Sequence, residues 1–291
     1  MLINLHQLKT AGKTLEGILY RNFKDKLFYL TKEQKNNENI HIKNMYRLLH
    51  KKSFKKKLKN KTIITGHMLF GVHRILPNFE IKYYTTLRDP FQRAKSYFFY
   101  MMKNDEFQIS KIFKKKKIKF EEFCSFSKFN KKKLQKYGFS NRAIEEINLI
   151  VKNGQTRVIS GSLKLSDFQS YKLAKKNIVK HFIDVGIVEM FEKSIVILGM
   201  KMKFKFPVFI NKINTSYHSY SEVKNENKIR QEFNLYNSYD LKLHKEYSFR
   251  LHKKMNERAI YYNFILYINK INTCLQKIFR PLIKKCKEYI E

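Results

Sequence analysis

The segment that most clearly suggests chemistry lies near the start of the chain, in the sequence LINLHQLKTAGKTLEGIL. The apolar run Leu2–Leu5 predicts a buried strand, and a turn of small residues leads from it into a predicted helix over Thr14–Phe23. Such a turn presents backbone N–H groups and the positive end of a helix dipole to an anion, and nearby lysines and threonines add charge and hydroxyl donors. The segment therefore predicts a phosphate-binding loop. Its residues are Lys9, Thr10, Ala11, Gly12, Lys13 and Thr14.

Part of this loop also fits the nucleotide-binding loop of kinases and ATPases. Gly12, Lys13 and Thr14 match the end of the pattern GxxxxGK[ST], but Gln7 occupies the position of its first glycine. The sequence also lacks a clean apolar strand that ends in aspartate, which these proteins use to hold Mg²⁺. A P-loop kinase of a small molecule or nucleotide, using Lys13 and Thr14 with Mg²⁺, is therefore an alternative prediction.

Further candidates are polar residues that follow other predicted strands. Arg88 comes directly after one strand, and an arginine can bind a phosphate through two parallel hydrogen bonds. Ser96 lies two helical turns into the next predicted helix, so it must face the same cleft to contribute. His67 follows another strand, and a histidine with a pKa of ~6.5 can accept a proton at neutral pH. His73 is the second candidate for that role, whereas His6 is expected to be structural or to form a cleft wall.

The order of these segments resembles that of the PAPS-dependent carbohydrate sulfotransferases, particularly the group that contains the uronosyl 2-O-sulfotransferases. HQLKTAGKTL at residues 6–15 is similar to the 5′-phosphosulfate loop of this family, and LRDPFQRAKSYFFY at 87–100 to its 3′-phosphate motif. TGHMLFGVH at 65–73, NGQTRVISG at 153–161 and the segment 174–198 resemble further family segments in the same order. The resemblance extends over residues 1–255. It departs from the family pattern at Leu8, where proline is common, and at Lys13, where threonine or glycine is common.

The resemblance implies an enzyme that transfers a sulfuryl group from PAPS (3′-phosphoadenylyl sulfate) to a hydroxyl of a carbohydrate or glycolipid acceptor. The implied transfer is direct and in line, and no metal is expected. Lys9 would stabilise the leaving phosphate and His67 would be the general base. Arg88 and Ser96 match the residues that hold the 3′-phosphate, and Arg157 would either reach the nucleotide or order its own loop.

Several residues near these motifs have structural interpretations. The alternative role for Arg88 is an ion pair with Asp89 that stabilises the turn. Gly186 and Glu189 are expected in a turn at the end of a strand, and Asp240 is expected on a helix face.

Strand–turn–helix units in succession predict an α/β fold with a parallel sheet flanked by helices, and the resemblance implies a P-loop-like sheet. Residues 1–256 are predicted to form this domain, with 103–135 as a lysine-rich surface insertion. The predicted strands are Leu2–Leu5, Lys61–Thr65, Ile81–Leu87, Phe182–Ile187 and Phe206–Ile210. The predicted helices are Thr14–Phe23, Phe91–Met102, Phe120–Phe126, Asn141–Lys152, Met190–Met202 and Asn237–Met255.

The charge of the chain suggests a third function. The 291 residues include 61 Lys and Arg against 24 Asp and Glu, which gives a formal net charge of +37. A hydrophobic fraction of 43% is enough to bury a sizeable core, so wholly disordered and collagen-like chains are excluded. The charge favours a non-enzymatic protein that binds polyanions. Most of the cations are lysines, however, and compositional drift on solvated faces explains many of them, so no specific nucleic acid partner is predicted.

The end of the chain has a different character. Apolar residues from Ile260 to Leu282 follow helical spacing with Lys and Arg between them, so 257–291 is predicted to be a basic amphipathic C-terminal helix. It would either pack on its own domain or lie on an anionic membrane surface as a peripheral contact. No apolar run of roughly 18 residues occurs, so no membrane span is predicted.

Cysteine usage bears on the compartment. Cys124, Cys274 and Cys286 are widely spaced and form no CxxC pair, which predicts neither a zinc site nor a disulfide framework. Reduced thiols in a cytoplasmic protein are the simplest interpretation.

Overall fold

The computed structural model describes residues 1–30, 56–76, 79–204, 225–257 and 259–288, with side chains described as far as Leu275 except for Thr273. Its centre is a five-stranded sheet in which all strands are parallel, in the order β2-β3-β1-β4-β5. The predicted α/β class is confirmed. The strands are β1 Leu2–Leu5, β2 Leu27–Tyr29, β3 Ile63–Gly66, β4 Lys82–Leu87 and β5 Phe182–Ile187.

Helices flank the sheet and continue beyond it. Those that follow the first strands are α1 Gly12–Phe23, α2 Pro90–Lys103, α3 Gln108–Lys115, α4 Phe120–Ser125, α5 Lys131–Lys136 and α6 Asn141–Val151. The remaining ones are α7 Gly154–Ser160, α8 Asp167–His181, α9 Phe191–Met202, α10 Glu226–Tyr236, α11 Ser238–Glu257 and α12 Ala259–Glu288. The expected bounds are confirmed unchanged for β1 and β5 and shift slightly for the others. The strand expected over Phe206–Ile210 lies outside the described residues, and β2, α3, α5, α7, α8 and α10 were not predicted.

The topology fixes where a ligand can bind. The central strand β1 lies between β3 and β4. From β1 the chain leads through α1 to β2 on one side, whereas from β4 it leads to β5 on the other side. In an open parallel sheet, connections that leave neighbouring strands in opposite directions open a crevice at the carboxyl ends of those strands, where ligands bind. The crevice of this fold therefore lies beyond Leu5 of β1 and Leu87 of β4.

The inner strands are apolar because both faces of the sheet are covered. Every residue of β1 and β3 is buried. The polar side chains among them pair within the sheet, since Asn4 Nδ2 donates to Thr65 Oγ1 over 2.9 Å. On one covering helix, α1, the spacing of Leu15, Ile18 and Leu19 places all three against the core.

The lysine-rich segment 103–135 is not the surface insertion that its composition predicted. Helices α3, α4 and α5 pack with α2 and α6 around an aromatic core. Phe113, Phe123 and Phe126 are completely buried there, while Lys114–Lys117 are exposed. The prediction was wrong because the lysines dominate the composition, whereas the phenylalanines between them, which are spaced to face the core, decide the packing.

The C-terminal helix of the prediction is present as α12. One face packs on the domain, where Tyr262 and Ile265 join a buried cluster that includes Leu243 and Tyr247 of α11. Within the described residues, no helix is long and apolar enough to cross a membrane.

Candidate functional site

The turn after β1 has a backbone suited to anions. Lys9 and Ala11 both adopt left-handed backbone angles, with φ of 62° and 61°. This conformation is uncommon in residues with a side chain and costs on the order of 1–3 kcal/mol, so the surrounding fold must hold it in place. α1 then begins at Gly12 with no described side chain capping it. Because the first N–H groups of a helix have no partner within it, this turn presents them together with the helix dipole.

The glycine of this turn is required by a neighbouring ring. A Cβ on Gly12 would lie 1.7 Å from His6 Nε2, so any larger residue would displace the imidazole. His6 Nδ1 lies 2.9 Å from the Glu16 carboxylate, which also accepts from Thr65 Oγ1 over 3.0 Å. Burial alone would raise the pKa of Glu16, but these two hydrogen bonds lower it below its ordinary value. A charged Glu16 therefore holds His6 against the turn.

The other polar residues of the turn are used to close it. The Thr10 hydroxyl donates to Gln7 O over 3.0 Å, and Thr86 Oγ1 donates to Thr10 O over 2.6 Å. Thr10 is thus committed to the turn through both its hydroxyl and its carbonyl, and it is completely buried. Gln7 is buried and donates to Thr85 Oγ1 over 3.0 Å. The kinase pattern has a flexible glycine at this position, whereas here Gln7 is hydrogen-bonded to β4.

Cations converge on this turn. Burial, followed by the charges of Arg88 and Lys13, lowers the pKa of Lys9 to about 8. The Lys9 ammonium lies 4.0 Å from the centre of the Tyr100 ring, which is a cation–π contact. None of the ion pairs among the described residues includes Lys9 or Lys13. Like charges held together in this way favour a bound anion.

Arg88 reaches this turn from the end of β4. Its Nη1 donates to Lys9 O over 3.1 Å. Its backbone is held on both sides by one amide, because Arg88 N donates to Gln155 Oε1 over 2.9 Å and Gln155 Nε2 donates to Arg88 O over 2.8 Å. The neighbouring carboxylate of Asp89 accepts from Gln92 N as the N-cap of α2 and forms an ion pair with Arg230 over 2.8 Å.

Gln155 is itself fixed by Asp240, which was expected on a helix face. Asp240 does lie on helix α11, but on the side that faces the core, where it is completely buried. Its two oxygens accept from Gln155 N over 3.0 Å and from Thr156 N over 2.7 Å, which satisfies the start of α7. Asn153 Oδ1 in turn accepts from Tyr239 N and Asp240 N. Sequence reasoning missed Gln155 and the buried role of Asp240, although the Asn-Gly dipeptide at the start of α7 marks the turn.

Helix α2 contacts the turn through its buried residue Arg93. The buried guanidinium of Arg93 donates to Leu8 O over 2.9 Å and to Leu149 O over 2.8 Å. Burial lowers the pKa of Arg93 to about 10, so the group stays charged at neutral pH. Ser96 is half-buried and follows Arg93 by three residues and precedes Tyr100 by four, which places all three on one face of the helix. Ser96 therefore faces the side of α2 that meets the turn, and Arg93 is a further residue that the sequence did not reveal.

His67 follows β3 and joins the same crevice. Its Nδ1 lies 2.7 Å from His6 O, and since a carbonyl can only accept, Nδ1 carries the proton. The unprotonated nitrogen of the neutral ring is then Nε2. The rings of His67 and His6 lie 4.3 Å apart. Burial, with the nearby His6, lowers the pKa of His67 to about 3, so the ring is neutral at physiological pH.

The structure separates His73 from this group. His73 Nδ1 lies 2.9 Å from the hydroxyl of Tyr83, the second residue of β4, and its ring stacks on His181 at 4.6 Å. These contacts place it at the amino ends of the strands. The carboxyl ends, with Arg88 and His67, are at the opposite edge of the sheet.

Two other predicted positions, Arg157 and Gly186, have local roles. The Arg157 guanidinium donates to Leu163 O over 3.0 Å and pairs with Asp167 over 2.7 Å, so it orders its own loop. Gly186 was expected in a turn but lies inside β5. A Cβ there would stand 2.2 Å from the Tyr84 hydroxyl, so a larger residue would not fit.

Glu189, just beyond β5, links that strand to α2 and α11. Its carboxylate accepts from Asp89 N over 3.0 Å and lies 2.9 Å from His244 Nε2.

A cleft of about 520 Å³ opens beside the turn. His6, Gln7 and Leu8 line it from the segment after β1, and His67, Met68 and Leu69 from the segment after β3. Its other walls come from α2, α6, α7 and the following loop. They comprise Arg93, Arg142, Glu145, Glu146, Leu149, Val158, Gly161, Ser162, Leu163 and Lys164. The cleft gives a molecule from solvent a place next to His67.

Comparison with known proteins adds no relative. No protein-family model and no curated protein matches this chain. The functional argument therefore depends on the residues and their arrangement.

Proposed function

We propose that the protein is a sulfotransferase that moves a sulfuryl group from PAPS to a hydroxyl of an acceptor. The observation that supports this most is the convergence of Lys9, Lys13 and Arg88 on one uncapped turn, with neutral His67 at the same edge of the sheet. PAPS carries a phosphosulfate and a separate 3′-phosphate, so it offers two anionic groups to this set of cations. The donor supplies an activated sulfur, and the chain supplies position and charge.

Lys9 has the electrostatic role. As the sulfur–oxygen bond to the donor phosphate breaks, negative charge grows on that phosphate. A cation beside it then stabilises the transition state more than the ground state. The N–H groups of the turn bind the same phosphate without reorganising, because the fold already fixes Lys9 and Ala11 in the required backbone conformation. A bound anion also raises the pKa of Lys9 and keeps it protonated.

Arg88 and Ser96 are proposed to bind the 3′-phosphate. Arginine can meet a phosphate with two parallel hydrogen bonds and keeps its charge. Gln155 holds the Arg88 backbone on both sides, and the hydrogen bond from Arg88 Nη1 to Lys9 O holds the guanidinium beside the turn.

His67 is proposed as the general base. The hydrogen bond to His6 O leaves Nε2 to accept the proton that the acceptor hydroxyl releases as its oxygen attacks sulfur. A pKa of about 3 makes this ring a weak base, so the negative charge of the bound donor must raise that pKa for efficient proton transfer. The acceptor would enter through the cleft, and the sequence resemblance favours a carbohydrate or glycolipid. Transfer is direct, with no covalent intermediate. Three widely spaced cysteines favour a cytoplasmic location.

A thermal-shift experiment tests the donor site. Adenosine 3′,5′-bisphosphate, the expected product, should raise the melting temperature without metal, because binding to the folded state alone stabilises it. Adenosine 5′-phosphate should do so much less. Stabilisation only by ATP with Mg²⁺ would instead indicate a kinase. Stabilisation by RNA alone, with a steep salt dependence, would indicate a polyanion-binding protein.

Variants then assign the two phosphate sites. Arg88→Ala should reduce the preference for the bisphosphate over the 5′-monophosphate, measured as the ratio of dissociation constants. Lys82→Ala is the matched control, since Lys82 is an exposed cation at the start of β4. An unchanged ratio in Arg88→Ala would contradict the 3′-phosphate assignment.

A further inference from the structure

Helix α12 is apolar on the face that its domain does not cover. Tyr262, Ile265 and Asn269 are buried against the domain. On the other side, Ile260 is 91% exposed and Phe264 61%. We call the exposed apolar side chains of this face the α12 stripe. They are Ile260, Phe264, Tyr267, Ile271 and Leu275.

The stripe is continuous along the helix. From Ile260 to Ile271 its members are separated by four, three and four residues, which keeps them on one side of an α-helix. Soluble helices normally expose charged or polar side chains on the face away from the core. A row of large apolar side chains on that face therefore indicates a contact with another apolar phase.

The charges of α12 are distributed unevenly. Its first eleven residues, 259–269, contain no charged side chain. From Lys270 to the end of the helix at Glu288, the sequence holds five more cations and one acid, Glu288 itself. Those further cations are Lys277, Arg280, Lys284, Lys285 and Lys287. The helix thus combines an aromatic, uncharged beginning with a strongly basic continuation.

We propose that α12 lies in the interface of a membrane that contains anionic lipids, with the stripe at the boundary between head groups and acyl chains. Interfacial helices combine an apolar face with lysine and arginine, and tyrosine is favoured at head-group depth.

The alternative occupant of the stripe is a second copy of the chain. Charge argues against it, because two α12 helices paired in parallel would bring their basic halves together. In any pairing, Glu288 is the one acid of the helix available to offset its cations, and each copy carries a formal net charge of +37. Anionic lipid head groups supply the complementary charge. This surface does not depend on the proposed sulfotransferase activity.

Vesicle co-sedimentation of the full chain tests the proposal. The protein should bind vesicles of phosphatidylcholine with phosphatidylserine at low salt, and bind pure phosphatidylcholine vesicles at least roughly tenfold more weakly, because the lysines interact with anionic lipid. High salt should weaken the binding but not abolish it, since screening acts on the charges and not on the stripe. Failure to bind the mixed vesicles, or equal binding to both kinds, overturns the proposal.

Two variants test whether the α12 stripe, and not any exposed apolar side chain, is needed for membrane binding. The double substitution Phe264→Ser with Tyr267→Ser should lower the partition coefficient by roughly tenfold or more, because it removes the apolar area that enters the interface. Phe249→Ser is the matched control, since Phe249 is a 71% exposed side chain of α11 outside the stripe, and it should bind like wild type. An equal loss in both proteins contradicts the assignment to α12.

Light scattering tests the second-copy alternative in solution. The wild type and the double variant should have the same monomer mass. A wild-type dimer that the double variant dissociates would overturn the proposal and assign the stripe to self-association. Unchanged melting temperatures would show that the serine variants fold.

Discussion

The two ends of the parallel sheet carry similar side chains but differ in how they hold them. At the carboxyl ends of the strands lie Lys9, Lys13, Arg88 and His67. At the amino ends lie His73 and His181, stacked at 4.6 Å, with a set of cations around them. Those cations are Arg74, Lys82 and Lys180, all of them exposed.

The difference is in the support beneath the charges. At the carboxyl edge, Arg88 is fixed by Gln155, which depends on buried Asp240, and the turn is fixed by buried Arg93. At the amino edge the cations project into water, where salt and solvent screen them. A cationic surface becomes a candidate binding site only where buried residues hold its side chains in position. The large net charge alone does not distinguish the two edges.

The largest expected effect comes from Lys9. In the proposed sulfotransferase, Lys9→Ala should lower the rate of sulfuryl transfer by about 10²–10³, because one preorganised donor to the developing charge is lost. The measurement is kcat with labelled PAPS and an acceptor that the wild type uses. Lys82→Ala at the amino edge should leave kcat unchanged, and an equal fall in both variants would contradict the comparison between the edges.

The next effect concerns the support of Arg88. Gln155→Ala should lower the free energy of unfolding by about 1–3 kcal/mol, since it leaves the N–H and C=O of Arg88 without their present partner. It should also weaken binding of adenosine 3′,5′-bisphosphate. Denaturant unfolding and calorimetry measure the two quantities. If stability falls and binding stays as in wild type, Gln155 supports the fold alone.

A third prediction concerns pH. The pKa values of His67, His73 and His181 are all lowered in the folded protein, mainly by burial. The unfolded chain therefore binds more protons, so stability is complete above the ordinary histidine pKa of ~6.5 and falls as the pH drops below it. For His67 the slope should be about 1 kcal/mol per pH unit.

Single substitutions show which histidine causes the fall of the free energy of unfolding at low pH. His67→Gln should flatten the fall of the free energy of unfolding between about pH 6 and pH 5 more than His73→Gln does, because the pKa of His67 is lowered to about 3. Denaturant titration at each pH measures this. Equal flattening by the two variants would show that the two edges bury their histidines alike.

The smallest effect is expected at the amino edge. Lys82→Ala with Lys180→Ala should change the free energy of unfolding by less than about 0.5 kcal/mol and leave nucleotide binding unaffected, because both side chains are exposed. A clear loss of bisphosphate affinity would show that long-range charge, and not the supported site alone, attracts the ligand.

Local features of this fold could be predicted from the sequence. The turn of Lys9 and the strand before Arg88 are signalled by neighbouring residues, namely apolar runs followed by small residues or Arg-Asp-Pro. The confirmed bounds of β1 follow from its apolar run. The shared edge of Arg88 and His67 follows from the rule that parallel strands place their carboxyl ends together.

Other features depend on residues far apart in the chain. Asp240 meets Gln155 and Thr156 across more than eighty positions, and nothing in the sequence around Asp240 reveals that it is buried. The same holds for the choice between His67 and His73, which are close in sequence but lie at opposite edges of the sheet. The buried phenylalanines of α3 and α4 were concealed by the lysines that surround them.

The lowered pKa of Lys9 links ligand binding to the protonation of the protein. At a pH near 8, a fraction of Lys9 is neutral before any anion arrives, and a bound phosphate restores the charge. Binding therefore takes up a fraction of a proton from the buffer. Calorimetric titrations with adenosine 3′,5′-bisphosphate in two buffers of different ionisation enthalpy should give different apparent heats, and Lys9→Ala should make them equal. The difference in apparent binding heat between the two buffers thus reports the charge state of the Lys9 side chain.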